Sequence, residues 1–347
     1  MRLVHTTSLE LSDFTLAKPP PYAILSHTWG PEEVTFQDLC ASAAPDRTSW
    51  TKAGYAKIVQ TCRLAKERGL DYAWIDTCCI DKKSSAELTE SINSMFAYYK
   101  NAEICIVHLE DLPTGSNDLA PCKWFTRGWT LQELLAPMHH AFYDQTWAFI
   151  GTKSTHIEAI GRITLIPQGV LYKTTQIRDF SIATRMSWAS DRKTTRPEDV
   201  AYCLLGIFEV NMPLIYGEGS RAFRRLQEEI IKRDNDLSIL AWEPDSSQET
   251  RSDDAHGTNL LAQSPADFSR SRGVHPFAND FPELAITNRG FSISPDIPIL
   301  SGNMPSLWTW QSGVIWNSDM PSPNVSGTPK TGLFSAQMPS VTHSSPT

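Results

Sequence analysis

The chain has 347 residues, 41% of them apolar and 10% aromatic, which is enough to bury a substantial core and excludes wholesale disorder. Its 31 Lys and Arg stand against 39 Asp and Glu, and the net charge of -8 argues against wrapping nucleic acid or lying on an anionic membrane. The seven Cys, odd in number and irregularly spaced, fit reduced thiols better than a disulfide framework. No apolar run reaches the length of a membrane span, and Met1 to Asp13 lacks the apolar centre of a signal peptide. A cytoplasmic protein is expected.

The run Tyr22-Ala-Ile-Leu-Ser26, stopped by Trp29-Gly30-Pro31, predicts a buried strand. Tyr55, Ile58, Val59, Cys62 and Ala65 keep helical spacing, and Gly69 closes that helix. Tyr72–Asp76 predicts a second strand. Ser84 and Glu87 form a capping-box pattern ahead of a helix with Leu88, Ile92, Met95, Phe96 and Tyr99 on one face. A third strand is predicted over Ile104–Leu109, a helix over Gly128–Leu135 and a fourth strand over Phe142–Ile150. Strands alternating with helices imply an α/β fold with a mostly parallel sheet flanked by helices.

From about Ser154 to Trp242 the texture is mainly helical. Thr195-Arg196-Pro197-Glu198 looks like a helix start. A second helix after Gly219 turns Ala222, Phe223, Leu226 and Ile230 inward, and Leu237–Trp242 predicts a strand. Thr287–Ile299 holds one or two strands around the turn signal Asn288-Arg289-Gly290. Between Ser301 and Thr347 only Asp319 and Lys330 are charged, among 10 Ser and 6 Pro, so a mostly disordered tail is expected. Trp308, Trp310 and Trp316 leave open the start of a truncated β-rich module.

Four segments carry a recognisable pattern: Tyr22-Ala-Ile-Leu-Ser-His-Thr-Trp-Gly30, Tyr72-Ala-Trp-Ile-Asp-Thr-Cys-Cys-Ile-Asp81, Ile92-Asn-Ser-Met-Phe-Ala-Tyr-Tyr99, and Arg127-Gly-Trp-Thr-Leu-Gln-Glu133. In order and spacing they resemble the fungal heterokaryon incompatibility (HET) domain, over about residues 22 to 151. Arg196–Gly206 with Tyr216-Gly-Glu-Gly219 looks like the segment that follows this domain in one large subgroup. Lys82 stands where many members carry Gln. On this resemblance residues 1–153 form a HET domain and 154–243 a helical HET-associated region. A small β-rich extension is expected over 244–300, with the tail over 301–347. The resemblance implies fungal non-self recognition and regulated cell death, with an incompatibility partner protein and self-association through the HET domain.

HET domains are distantly similar to Toll/interleukin receptor (TIR) domains, which have a flavodoxin-like α/β fold and in several cases cleave NAD⁺ between nicotinamide and ribose. Their catalytic glutamate follows a Trp by four residues, and Trp129-Thr-Leu-Gln-Glu133 occupies the corresponding place. The resemblance therefore implies Glu133 as the catalytic residue and NAD⁺ as substrate, with no resident cofactor. Open parallel sheets bind ligands at the carboxyl ends of their strands. Ser26 and His27, Asp76, and His108 or Glu110 end the three predicted strands there. Ser26, His27, Trp29, Gly30, Asp76 and Trp129 are the expected nucleotide-binding residues: the indoles to stack on a ring, the backbone around Gly30 to approach a phosphate.

Structural roles compete with each of these. Glu133 would pair with Arg127 on a helix surface, Asp76 would close a turn, Trp129 would be core and His27 a satisfied structural histidine. No C-x-x-C pair is present, and Cys78-Cys79 or His139-His140 on a regular strand would point to opposite faces, so no metal is expected. Gly217-Glu-Gly219-Ser220 is too short for a dinucleotide fingerprint and lacks the P-loop Lys. The alternative to an enzyme is a signalling adaptor that works by HET-domain self-association alone.

Overall fold

A computed structural model of the chain describes residues 1–41, 51–244 and 260–275, and the backbone of four short strands between 284 and 317. The chain divides into two units, Met1–Ile177 with Asp191–Ala222, and Arg178–Ser190 with Phe223–Thr347.

The first unit is built on one sheet. Its strands are β1 (Arg2–His5), β2 (Leu11–Asp13), β3 (Tyr22–His27), β4 (Tyr72–Trp74), β5 (Ile104–His108), β6 (His140–Tyr143) and β7 (Phe149–Thr152). They lie in the order β2-β1-β4-β3-β5-β6-β7. The four central strands, β4-β3-β5-β6, are mutually parallel; β1, β2 and β7 add antiparallel edges. The expected mostly parallel α/β sheet is present, with additions. The chain leaves β3 for β4 on one side and then crosses to β5 on the other. In open α/β sheets such a reversal marks the end of the sheet where ligands bind, and here His27 and His108 stand in register at the carboxyl ends of β3 and β5.

The intervening helices follow the apolar spacing. Between β3 and β4 come α1 (Phe36–Ala41) and α2 (Tyr55–Lys66), the latter burying Ile58, Thr61, Cys62, Leu64 and Ala65 along one stripe. Gly69, at φ +74°, ends that excursion in the left-handed region glycine tolerates. After β4 the predicted strand stops early, because Asp76–Cys79 forms a single helical turn, α3, with Cys78 and Cys79 both buried. The two thiols therefore sit on a helix rather than on opposite faces of a strand. Helix α4 (Ser85–Lys100) is capped by Ser84, whose hydroxyl accepts the Glu87 N–H. Only half of the predicted capping box forms, since the Glu87 carboxylate binds the Asp81 N–H and Arg2 instead. Helix α5 (Thr130–Leu135) follows β5, and α6 (Ile157–Thr164) and α7 (Gln168–Leu171) follow β7.

Two expectations about strands are corrected. Residues 142–150 form two strands, because Asp144 closes a turn between them. Its Oδ1 accepts the N–H groups of Thr146 and Ala148 at 2.8 and 3.0 Å, and Trp147 adopts φ +64°. The N-terminal residues, expected only to lack a signal peptide, supply β1 and β2.

The segment 191–216 packs around α4 and α5, and its motif residues are the locks. A Cβ at Gly128 would stand 2.5 Å from the Thr194 side chain, and the Gly128 N–H donates to Lys193 O at 2.9 Å. Arg192 Nη1 donates to Arg127 O and to Thr130 Oγ1. Asn93 exchanges two hydrogen bonds with the Met212 backbone, at 3.1 and 3.0 Å. Helix α8 (Ile182–Ser187) belongs to the second unit, so the next helix of the first unit is α9 (Asp199–Tyr202). The expected start at Thr195–Glu198 is displaced, and the Glu198 carboxylate is spent on the N–H groups of Gly217 and Gly219. A Cβ at Gly206 would meet Phe96 Cβ at 2.1 Å. Gly206→Ala is therefore expected to destabilise the fold by about 1–3 kcal/mol through overpacking, measured as a fall in the urea midpoint.

In the second unit α8 is capped by Ser181, which accepts the Thr184 N–H at 3.1 Å. Asp236 accepts the Ile182 N–H at 2.7 Å and the Ser238 N–H at 2.9 Å. The second bond turns the chain, so Leu237–Leu240 is a 3₁₀ turn rather than the predicted strand. Helix α10 (Arg221–Ile231) forms with Ala222, Phe223, Leu226 and Ile230 buried, as its periodicity predicts. Strands β8 (Leu284–Thr287) and β9 (Gly290–Ile293) pair antiparallel. Strands β10 (Trp308–Gln311) and β11 (Val314–Asn317) also pair antiparallel, inside the tail expected to be mostly disordered; the rest of that tail lies outside the described residues. Among the described residues no helix is long and apolar enough to cross a membrane.

Candidate functional site

Consecutive residues of β3 face opposite ways, so the carboxyl end of this central strand serves two chemistries. Ser26 points toward α5. Its hydroxyl donates to Glu133 Oε2 and accepts the Trp124 indole N–H at 2.7 Å. Trp124 is fully buried, edge-on to Phe125 and Phe142, so the hydroxyl that meets the carboxyl is held by a rigid side chain. Tyr99 also lies against this carboxyl, its own proton going to Leu25 O at 2.9 Å.

Glu133 is only 7% exposed, not a surface partner of Arg127. Burial pushes its carboxyl up to about 8. The Ser26 hydrogen bond opposes that shift, the negative charge of Asp76 adds to it, and Tyr99 and Arg127 oppose it in turn. At neutral pH the acid is mostly protonated, and a positive charge brought beside it would favour its ionisation. A carboxyl raised in the folded state stabilises it fully below the ordinary carboxyl range, and this contribution is lost as pH rises toward 8. Lys153, lowered by burial to about 7, and Lys173, lowered by burial to about 8, act in the opposite sense over an overlapping window. The difference between proteins isolates the carboxyl: at pH 9 Glu133→Gln is expected to be the more stable by on the order of 3–5 kcal/mol, and at pH 5 the two are expected to be nearly equal, by urea unfolding.

His27 points the other way, toward α2. Its Nδ1 lies 4.0 Å from Asp76 Oδ1 and its Nε2 3.7 Å from Glu33 Oε1, and Nε2 has no hydrogen-bond partner. Burial first, then the Lys57 charge, lower it to about 3, so it is neutral. His108 is likewise lowered to about 4, chiefly by burial. Its ring stacks on Trp147 at 4.0 Å with both nitrogens unpartnered. Trp29 is half exposed; its N–H donates to Asp76 Oδ2 at 2.8 Å and Lys82 Nζ sits 3.5 Å over its ring. The Gly30 N–H donates to Glu33 Oε1 at 2.8 Å, so the amide expected to meet a phosphate already holds a carboxylate.

The structure thus brings Ser26, His27, Trp29, Gly30, Asp76 and Glu133 to one end of the sheet. Trp129 goes elsewhere: its N–H donates to Asp199 Oδ2 at 3.2 Å, and Asp199 also accepts the Tyr216 hydroxyl at 3.0 Å. The indole that reaches the Ser26–Glu133 pair is Trp124. No local spacing signals Trp124, Glu33, Lys57 or Trp147 as site residues, and Tyr99 is legible only as part of the apolar face of α4. Among the described residues no group of three or more His, Cys, Asp or Glu is arranged to hold a metal ion.

Fold and site together define a doubly wound α/β domain with a buried, raised-pKa carboxyl at the switch point of its parallel strands. Residues 22–116 match the heterokaryon incompatibility protein (HET) family. The matched span holds Ser26, His27, Trp29, Gly30 and Asp76 and ends before Trp129 and Glu133. Residues 221–287 match a domain of unknown function, DUF8212. Vegetative incompatibility protein HET-E-1 of Podospora anserina is 46% identical over 241 residues, 66% of this chain and 17% of that protein. The chain therefore spans a minor part of that relative's length. No solved structure matches the chain.

Proposed function

We propose that this chain is an effector module of fungal vegetative incompatibility that acts by hydrolysing NAD⁺ to nicotinamide and ADP-ribose. The biological role follows the similarity to the incompatibility protein of Podospora anserina. The chemistry is carried by one observation, the buried Glu133 carboxyl that Ser26 and Trp124 fix at the carboxyl end of β3. The winding of the four parallel strands agrees with a TIR-like core, to which the antiparallel edges are additions.

When the bond between nicotinamide and ribose breaks, its electron pair passes to the pyridinium nitrogen and positive charge grows on the ribose. An ionised Glu133 stabilises that charge, as the carboxylates of glycosidases do. Water then adds to the ribose carbon and releases a proton. The cationic nicotinamide of the substrate supplies the field that ionises Glu133. Trp29, oriented by Asp76 and half exposed, offers a ring at the same end of the sheet for stacking.

A second reading, a scaffold acting by self-association, is favoured by the same burial, because the Glu133 carboxyl already has a partner in Ser26. Expression in a fungal host separates the two. The enzyme reading predicts toxicity with NAD⁺ depletion, both lost in Glu133→Gln. Toxicity that survives the substitution with NAD⁺ unchanged would establish the scaffold.

A further inference from the structure

Beside the carboxyl end of β3 the chain holds one of its own carboxylates as a bound anion would be held. Glu33 Oε1 accepts the Gly30 N–H at 2.8 Å and the Lys57 ammonium at 2.5 Å, and the unpartnered His27 Nε2 stands 3.7 Å away. Thr28, next to them, has a buried hydroxyl with no hydrogen-bond partner and a carbonyl that accepts from Lys57 at 2.9 Å. Glu33 and Lys57 are nearly buried, at 11% and 12% side-chain exposure.

A backbone N–H, an ammonium and an imidazole around one carboxylate oxygen, with an unpartnered hydroxyl on the residue after the histidine, are the donors that phosphate oxygens take. Gly30 adds a second sign. Its φ is not in the left-handed region, and a Cβ there would meet only Glu33 Oε1 at 3.7 Å and Lys57 Nζ at 3.9 Å. Nothing in the local backbone calls for glycine; what its missing side chain leaves open is the approach to this amide and ammonium.

We propose that the Gly30 amide, Lys57, His27 and Thr28 form a seat for the diphosphate of a nucleotide, and that Glu33 is an internal plug that must leave before the ligand enters. The plug makes resting affinity low, because any phosphate competes with a tethered carboxylate at high effective concentration. Glu110, 3.5 Å from Lys57, keeps the ammonium partnered once Glu33 has moved and disfavours an anion in the closed state. The inference concerns binding and deepens the NAD⁺ reading, but it does not depend on cleavage at Glu133.

Inorganic pyrophosphate titrated calorimetrically into the full chain tests it. Glu33→Gln is expected to fold, since Lys57 retains Thr28 O and Glu110. It should bind pyrophosphate about tenfold or more tightly than the unmodified chain, through removal of a competing charge. Adding Lys57→Met should abolish that gain. Unchanged or weaker binding by Glu33→Gln, or a gain that persists without Lys57, would overturn the proposal. If the variants fail to fold, the Gly30 amide resonance of the unmodified chain decides. A shift that saturates with pyrophosphate supports the seat, and an amide unmoved at high concentration refutes it. The two readings fail separately: nicotinamide release untouched by Glu133→Gln refutes cleavage, whereas pyrophosphate affinity untouched by Glu33→Gln refutes the seat.

Discussion

Replacing Glu133 with Gln is expected to lower nicotinamide release from NAD⁺ by a factor on the order of 10³ while leaving the chain folded. Gln keeps the volume of the side chain and an oxygen to accept the Ser26 hydroxyl, so the surroundings in β3 and α5 have no reason to move. It lacks the negative charge that would face the ribose in the transition state. That charge exists in the unmodified chain only after the carboxyl has lost its proton. Because burial holds Glu133 up at about 8, kcat/KM should rise with pH through the neutral range and level off near there. Chromatographic measurement of nicotinamide between pH 6 and 9 checks both statements. A Glu133→Gln rate within tenfold of the unmodified protein would contradict the first, and a flat profile the second.

Trp124→Ala is expected to cost about 3–5 kcal/mol of stability, among the largest effects of any single truncation in the first unit. The indole is fully buried, edge-on to Phe125 at 4.9 Å and Phe142 at 5.9 Å, and its loss leaves a cavity between β6 and the turn that carries it. The substitution also strands the Ser26 hydroxyl, which loses the donor that aims it at Glu133. Trp124→Phe separates the two contributions: it restores most of the packing but not the N–H, and should recover more than half of the lost stability with little recovery of nicotinamide release. Urea unfolding gives the first quantity. A cost below about 1 kcal/mol for the alanine variant would show that Trp124 does not brace the site.

The sheet's parallel core was legible because β3, β4 and β5 are short apolar runs between turn residues, and two of the long helices, α2 and α4, were legible from their stripes. What escaped depended on partners far along the chain. Arg2–His5 and Leu11–Asp13 carry too few apolar residues to announce strands, and they become strands by pairing with β4 and with each other. Asp144 broke a run that looked continuous, and Asp236 turned one that looked extended, each by side-chain bonds to the backbone. The site divides in the same way. Ser26, His27, Trp29, Gly30 and Asp76 end strands, so the topology of an open sheet places them together. Glu133 is implied by the resemblance to TIR domains, whose pattern pairs it with Trp129, yet that Trp hydrogen-bonds Asp199, and the neighbours of the carboxyl are Ser26, 107 residues away, and Trp124, which meets Ser26 across 98 residues. Glu33 and Lys57 lie in loop and helix segments where an acid and a base read as ordinary surface charges.

The central claim, that the carboxyl buried at the end of β3 cleaves NAD⁺, is tested most directly by nicotinamide release from the purified chain over a series of protein concentrations, with Glu133→Gln beside it. The unmodified protein is expected to release nicotinamide, more per molecule at higher concentration if assembly is needed to admit the substrate, and the variant none above background at any concentration. Equal release by both proteins, or none by the unmodified protein across the series, would contradict it.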